Sequence, residues 1–368
     1  MEARYSLYLD CIRFLAAVLV VLAHFVQHGV LNETLSLYVP ELGREAVMIF
    51  FVLSGYVIAY TTDVKKPSLS QYAIARASRI YSVALPLLFL SFIFVYAYSI
   101  FNDETHYQLS KAYLYIPLHG LFLGELWNIS ERPPGLTPYW SLSYEVWYYI
   151  FFASIYYFSG IRRVVIASIV FLILGHKLWL LLPVWLSGVA LYKYQNRVNI
   201  NVTVARLGWL LSILSFVLYK SFDFDLLFRT YGNVIWPFDN LKLGSADRYL
   251  SDYVISMMVL LNFLCAMKAK FTCLLKYSDL IRACATYTFT LYLVHALVMT
   301  IWAKFYTHNP DSLVDIAVLT MLIGFSTYCA GLLTEHRKHF FVIAISRIYN
   351  RTLGRFKLDV LNPHLEKG

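Results

Sequence analysis

The stretch that decides the fold runs from Leu9 to Gly29, LDCIRFLAAVLVVLAHFVQHG. It is long and apolar enough for a bilayer-crossing helix, which needs about 20 residues. Three polar groups interrupt it: Asp10, Arg13 and His24. At ~100° per residue, Arg13 and His24 fall within ~20° of each other around the helix and ~16 Å apart along it. Asp10 precedes Arg13 by three positions, the spacing at which a carboxylate and a guanidinium meet on a helix surface. An ionisable residue inside a membrane segment costs at least ~2.5 kcal/mol on insertion scales, so it normally faces a polar interior. The stripe therefore predicts a lined site that runs from one membrane surface towards the middle.

The rest of the chain agrees with a membrane setting. Of its 368 residues, 59% are hydrophobic and 14% are charged, where a soluble domain carries roughly 25% charged residues. Mean hydropathy is +0.59. The expectation is an all-α, polytopic helical membrane protein of about ten transmembrane helices. The first segment is not a cleaved signal, because no small-residue cleavage site follows it. The 30 Tyr and 8 Trp suit interfacial belts and aromatic-lined cavities. The net charge of +9 does not require nucleic acid. Five cysteines, an odd number set in or beside apolar segments, show neither a disulfide framework nor a metal spacing.

The predicted spans are roughly 8–29, 44–62, 82–101, 140–159, 163–177, 178–193, 205–221, 250–268, 285–305 and 313–334. The fifth and sixth are short and meet at His176-Lys177 as a tight hairpin. Segment 111–127 is apolar as well, but Pro117, His119 and two glycines make it a re-entrant or surface segment. With that segment left out, 21 of the 31 basic residues lie on the side of the two termini. The positive-inside rule then puts both termini in the cytoplasm. Two parts are expected: a transmembrane domain over 1–335 and a cytoplasmic basic amphipathic tail over 336–368. In the tail, Arg347, Arg351 and Arg355 form one helical stripe suited to membrane lipids of the inner leaflet.

Later spans carry further polar groups. Ser54-Gly55 is a small pair that lets another backbone approach. Arg76 and Arg79, three apart at a helix start, either grip phosphate or anchor the helix to anionic lipid heads. Glu145 stands five residues inside the helix that opens at Trp140-Ser141, with Tyr148 and Tyr149 on its face. His295 shares a face with Thr288 and Tyr292. The outer loop 222–249 mixes Asp223, Asp225, Asp239 and Asp247 with Arg229, Lys242 and Arg248; it reads as a solvated loop or as one that touches a polar acceptor outside.

An arginine fixes an anionic group bidentately and never loses its charge. A histidine is a suitable general base for a hydroxyl, with an unperturbed pKa of ~6.5. Group transfer across the membrane fits these residues, and proton-coupled transport uses the same types.

The opening pattern LDCIRFLAAVLVVLAH resembles the first helix of the acyltransferase 3 family, integral-membrane acyltransferases of bacterial envelopes, with its Arg-x10-His spacing at Arg13 and His24. Further similarities follow in order: GREAVMIFFVLSGYVI, ARASRIYSVALP, WSLSYEVWYY and TYTFTLYLVH. Two departures are that Glu45 takes the acidic position of the second span and that Ser82 replaces a usual proline. The chain ends soon after the tenth span, so the stand-alone form, without the SGNH hydrolase-like domain fused to some members, is expected. The resemblance implies an acetyl or other short acyl donor, acetyl-CoA, and no metal. It implies an acceptor hydroxyl on an envelope polysaccharide (O-antigen, capsule or exopolysaccharide) or its lipid-linked precursor. It implies a bacterial inner membrane location. Carried over by position, His24 is the catalytic base, Arg13 holds the donor with Asp10, Arg76 and Arg79 nearby, and Glu145 and His295 line the cavity and tune His24. Ser54, Trp140, Ser141, Tyr148 and Tyr292 complete the expected lining.

Overall fold

The computed structural model describes residues 2–102 and 105–352. Arg355, Lys357 and Lys367 of the basic tail lie outside the described residues. Among those described there is no strand, and the helices form one bundle. Helix α1 (Ala3–Gln27) carries the Arg13/His24 stripe, and α2 (Gly43–Lys65) packs beside it. A 34-residue helix, α3 (Leu69–Asn102), brings Arg76 and Arg79. The short α4 (Ala112–Gly120) precedes α5 (Tyr139–Tyr156), which carries Glu145. Then come α6 (Gly160–Tyr194), α7 (Val202–Ser221), α8 (Phe224–Ile235) and α9 (Tyr249–Ala269). Last are α10 (Thr288–Phe305), α11 (Leu313–Leu333) and α12 (Lys338–Thr352). Polar caps start some of these where the pattern turns apolar: the side chains of Asn201 and Ser312 accept the backbone N–H groups of Val204 and Asp315.

Eight stretches are long and apolar enough to cross a membrane. The ten expected spans are all helical, and the two numbers differ for physical reasons. Helix α5 has Glu145 and many polar aromatics, which lower its hydropathy. Helix α6 is two limbs that fold back on each other at Gly175, which has φ +76°. Trp179 donates to the Phe171 carbonyl at 2.5 Å, and their rings stack with centroids 4.9 Å apart. Residues eight apart in a straight helix would be separated by ~12 Å. The expected hairpin is therefore present, two residues ahead of its predicted join. A Cβ at Gly175 would also press on the Trp127 backbone, 2.7 Å from its nitrogen. Segment 111–127 does not cross. Its one helix of nine residues rises only ~13 Å against a ~30 Å hydrocarbon core. Tyr81, Tyr139 and Trp147 tie its carbonyls at Gly120, His119 and Phe122 to the bundle.

The tightest helix pair is α2 on α6. A Cβ on Gly55 would strike the Trp185 carbonyl, and one on Gly188 would strike the Val52 carbonyl, so small residues set this crossing. Close packing here seats Ser54 beside Trp185 and α5, at the edge of the candidate site.

Segment 222–249 is largely exposed, with Asp223, Asp239 and Lys242 on its surface, as a solvated loop would be, but part of it turns inward. It contains α8, and its charges pair at close range: Arg229 with Asp247 at 2.5 Å and Arg248 with Asp225 at 3.0 Å. Asp225, Asp247 and Arg248 line a cavity.

Candidate active site

Two cavities follow the α1 stripe. The first, about 70 Å³, holds Arg13 from α1, Arg76 and Arg79 from α3, and Glu145 and Tyr149 from α5. Its other walls are apolar, among them Val47, Phe50, Leu142 and Phe289. Of the three guanidinium groups, Arg13 has Asp10 at 3.3 Å, while Arg76 donates to the Thr61 hydroxyl at 3.1 Å. The Nε–H groups of Arg13 and Arg76 are buried without a hydrogen-bond partner among the described residues. Orphan buried donors are costly in a folded protein, and cationic ones suit an anion. Arg76 is half-buried and Arg79 exposed, and both line this cavity beside Arg13.

Glu145 lies in this arginine chamber, not beside His24. Its Oε1 accepts from Ser54 at 2.8 Å and from the Tyr149 hydroxyl. Ser54 in turn accepts from the Trp185 indole at 3.3 Å. The expectation that Glu145 lines one cavity with His24 is thus corrected: helix α5 turns its carboxylate towards α2 and the arginine chamber. Tyr148 is corrected too. It is fully buried and donates to the Leu178 carbonyl at 2.7 Å, locking α5 to α6 without lining either cavity. Tyr149, one position later, is the tyrosine that reaches Glu145.

The second cavity is about 370 Å³ and contains His24. His24 Nδ1 lies 2.9 Å from His295 Nε2, and His295 Nδ1 lies 2.9 Å from the Leu291 carbonyl. This chain assigns the tautomers of the neutral pair. A carbonyl only accepts, so His295 Nδ1 carries the hydrogen and its Nε2 offers a lone pair. His24 Nδ1 must then be the donor, which leaves His24 Nε2 unprotonated. A base whose other nitrogen is held by an orienting partner follows the logic of catalytic triads. His295 is fully buried behind His24.

This second cavity is rich in charges that sequence reasoning did not single out as site residues. Four cations line it, and each has a carboxylate within 4 Å. Arg44 pairs with Asp252 (3.0 and 2.5 Å), Lys220 with Glu45 (2.8 Å), Arg248 with Asp225 (3.0 Å) and Arg132 with Glu125 (3.9 Å). Trp140 lines the same cavity with Arg44 stacked 5.0 Å over its ring. The one available signal was Arg44-Glu45 at the start of an apolar helix. Ser141 and Tyr292 are joined at 2.7 Å between the two cavities.

Comparison with known proteins supplies the chemistry. The profile of the acyltransferase 3 family, described as an acyltransferase domain, matches residues 6–335. The chain belongs to the acyltransferase 3 family. That match covers α1 to α11 and both cavities. A protein of Acidianus two-tailed virus, named "Putative acetyltransferase ORF330", is 26% identical over 224 residues. The match takes in 55% of the present chain and 62% of the viral one, so the chain spans under two thirds of that relative's length. No solved structure matches the chain.

Proposed function

We propose that this membrane acyltransferase moves an acetyl group from acetyl-CoA, bound on the cytoplasmic side, to a hydroxyl of an envelope polysaccharide or its lipid-linked precursor. The observation that carries the reading is the arrangement along α1. Arg13 sits among three guanidinium groups at one end, and His24, fixed by His295, sits in a polar chamber ~16 Å further on. The orphan Nε–H groups of Arg13 and Arg76 fit the phosphates of a CoA donor. The excess of lysine and arginine beside the termini supports a cytoplasmic arginine chamber, and the proposed membrane is the bacterial inner one.

In the proposed reaction, His24 Nε2 removes the proton of the acceptor hydroxyl. The oxygen attacks the thioester carbonyl carbon, and a C–O bond forms. The C–S bond breaks, its electron pair leaves with sulfur, and the proton returns from His24 to the thiolate. While His24 is cationic, the lone pair of His295 Nε2 accepts from its Nδ1–H and steadies the charge. Glu145, with Tyr149 and Ser54, fixes the carboxylate wall of the donor chamber. In the outer chamber, paired charges offer both donors and acceptors without net charge, and Trp140 offers a ring face, which suits a polyhydroxylated acceptor.

The test is transfer of label from acetyl-CoA into envelope glycan, comparing wild type with His24→Ala at equal membrane insertion. Base-labile label that the substitution abolishes is the expected outcome. Label that persists would remove His24 from the chemistry, and no label in wild type would favour a transporter.

A further inference from the structure

The two chambers end at the same two side chains. Val47 and Tyr292 line both and are nearly buried, at 4% and 6% exposure. Tyr292 is held from two sides. Its hydroxyl lies 2.7 Å from Ser141 Oγ and 3.3 Å from the Pro138 carbonyl, and its ring meets Phe50 edge-on with centroids 5.5 Å apart. The partition separates unlike spaces. On the arginine side its neighbours are Phe50, Leu142 and Phe289; on the histidine side they are Arg44, Asp247 and Arg248.

We propose that Val47 and Tyr292 form the constriction that the acyl group must cross and that, together with Phe50, they restrict the donor to short acyl groups such as acetyl. The inference rests on the acetyl-CoA reading above and deepens it. A thioester donor carries its acyl group at the tip of its arm, so a donor anchored by the arginines presents that group first to the partition. Space is the first limit. The arginine chamber offers about 70 Å³ against about 370 Å³ on the histidine side, so the approach to the partition is the narrow part of the route and limits the bulk of the group that enters it. Chemistry is the second. Each methylene pushed past Tyr292 exchanges apolar walls for ion pairs, a loss of about fourfold per methylene. The bonds made and broken are those of the proposed reaction; only the length of the group that reaches His24 is selected.

The experiment compares acetyl-, butyryl- and octanoyl-CoA as donors in membranes that hold the native glycan, for wild type, Val47→Ala and Phe50→Ala. Wild type is expected to prefer acetyl over butyryl by about 10-fold or more, from two methylenes. Either truncation is expected to narrow that preference at least ~3-fold, one methylene's worth. A wild-type profile flat from acetyl to octanoyl overturns the proposal, and so does a preference that neither substitution moves. If wild type uses no acyl-CoA, the enzymatic reading fails and the length filter falls with it. The partition itself is read separately, by cysteine labelling. Val57→Cys, on the arginine side, is treated with a membrane-impermeant maleimide from outside, with the parent chain as background. It is expected to stay unlabelled while Tyr292 is intact and to become labelled in the Val57→Cys/Tyr292→Ala double variant. Labelling with Tyr292 intact, or none without it, removes the constriction whatever the chemistry.

Discussion

The arginine chamber and the histidine chamber lie on one helix and solve opposite electrostatic problems. In the first, three guanidinium groups share a lining with one carboxylate, and two buried Nε–H groups have no partner. In the second, every lining cation has a carboxylate at hand, from Arg44–Asp252 to Arg132–Glu125. Buried cationic N–H groups left without a partner are costly unless an anion completes them. Those of the second chamber are matched in charge and present a neutral mosaic, with Glu45 Oε2 and Glu125 Oε1 left as buried acceptors without a hydrogen-bond partner among the described residues. The difference teaches which chamber waits for a charged ligand and which offers hydrogen bonds to an uncharged one.

That contrast can be broken at several points. The largest expected effect is at the base: His24→Ala should lower acyl transfer by ~10²–10⁴-fold while acetyl-CoA binding is kept, as separate transfer and binding assays would show. Next is stability. Arg44→Ala strands the fully buried Asp252 and should cost about 3–5 kcal/mol. Thermal unfolding in detergent should show most of this recovered in Arg44→Ala/Asp252→Asn. Equal losses in both variants would mean that the pair does not hold the outer chamber together.

On the donor side, Arg13→Ala removes charge-assisted bonds and should reduce kcat/KM by roughly 10–100-fold, chiefly through KM for acetyl-CoA. Arg13→Lys should restore only part, because a lysine lacks the planar fork. A smaller effect is expected at His295→Ala, where kcat should fall about 10-fold with KM for acetyl-CoA unchanged, since one orienting hydrogen bond is lost. A rise in KM instead would place His295 with the donor chamber. The smallest effect is at Tyr148→Phe. It deletes the bond to the Leu178 carbonyl and should cost about 1 kcal/mol of stability without changing transfer.

Much of this molecule was legible in one dimension. Apolar runs, loop charges and the eleven-residue spacing of Arg13 and His24 depend only on local sequence and helix geometry. They gave the helical membrane fold, the stripe, the hairpin at the end of its fifth span and the non-crossing segment 111–127. The family motifs pointed to Arg76, Arg79, Glu145 and His295 as well. Which of these groups meet could not be read that way. His24 and His295 are 271 positions apart and touch at 2.9 Å. Glu145 went to the arginines, and Tyr149 rather than Tyr148 met it, because α5 rotates to bury Tyr148 against α6. Loop 222–249 is largely exposed, as expected, but that Asp225, Asp247 and Arg248 turn from it into a cavity depends on where α8 packs. Hydropathy and periodicity act residue by residue along the chain and so decided the helices and the stripe. Side-chain partnership is a property of helix rotation and close packing, and the tertiary structure alone decided that one stripe serves two chambers divided at Val47 and Tyr292.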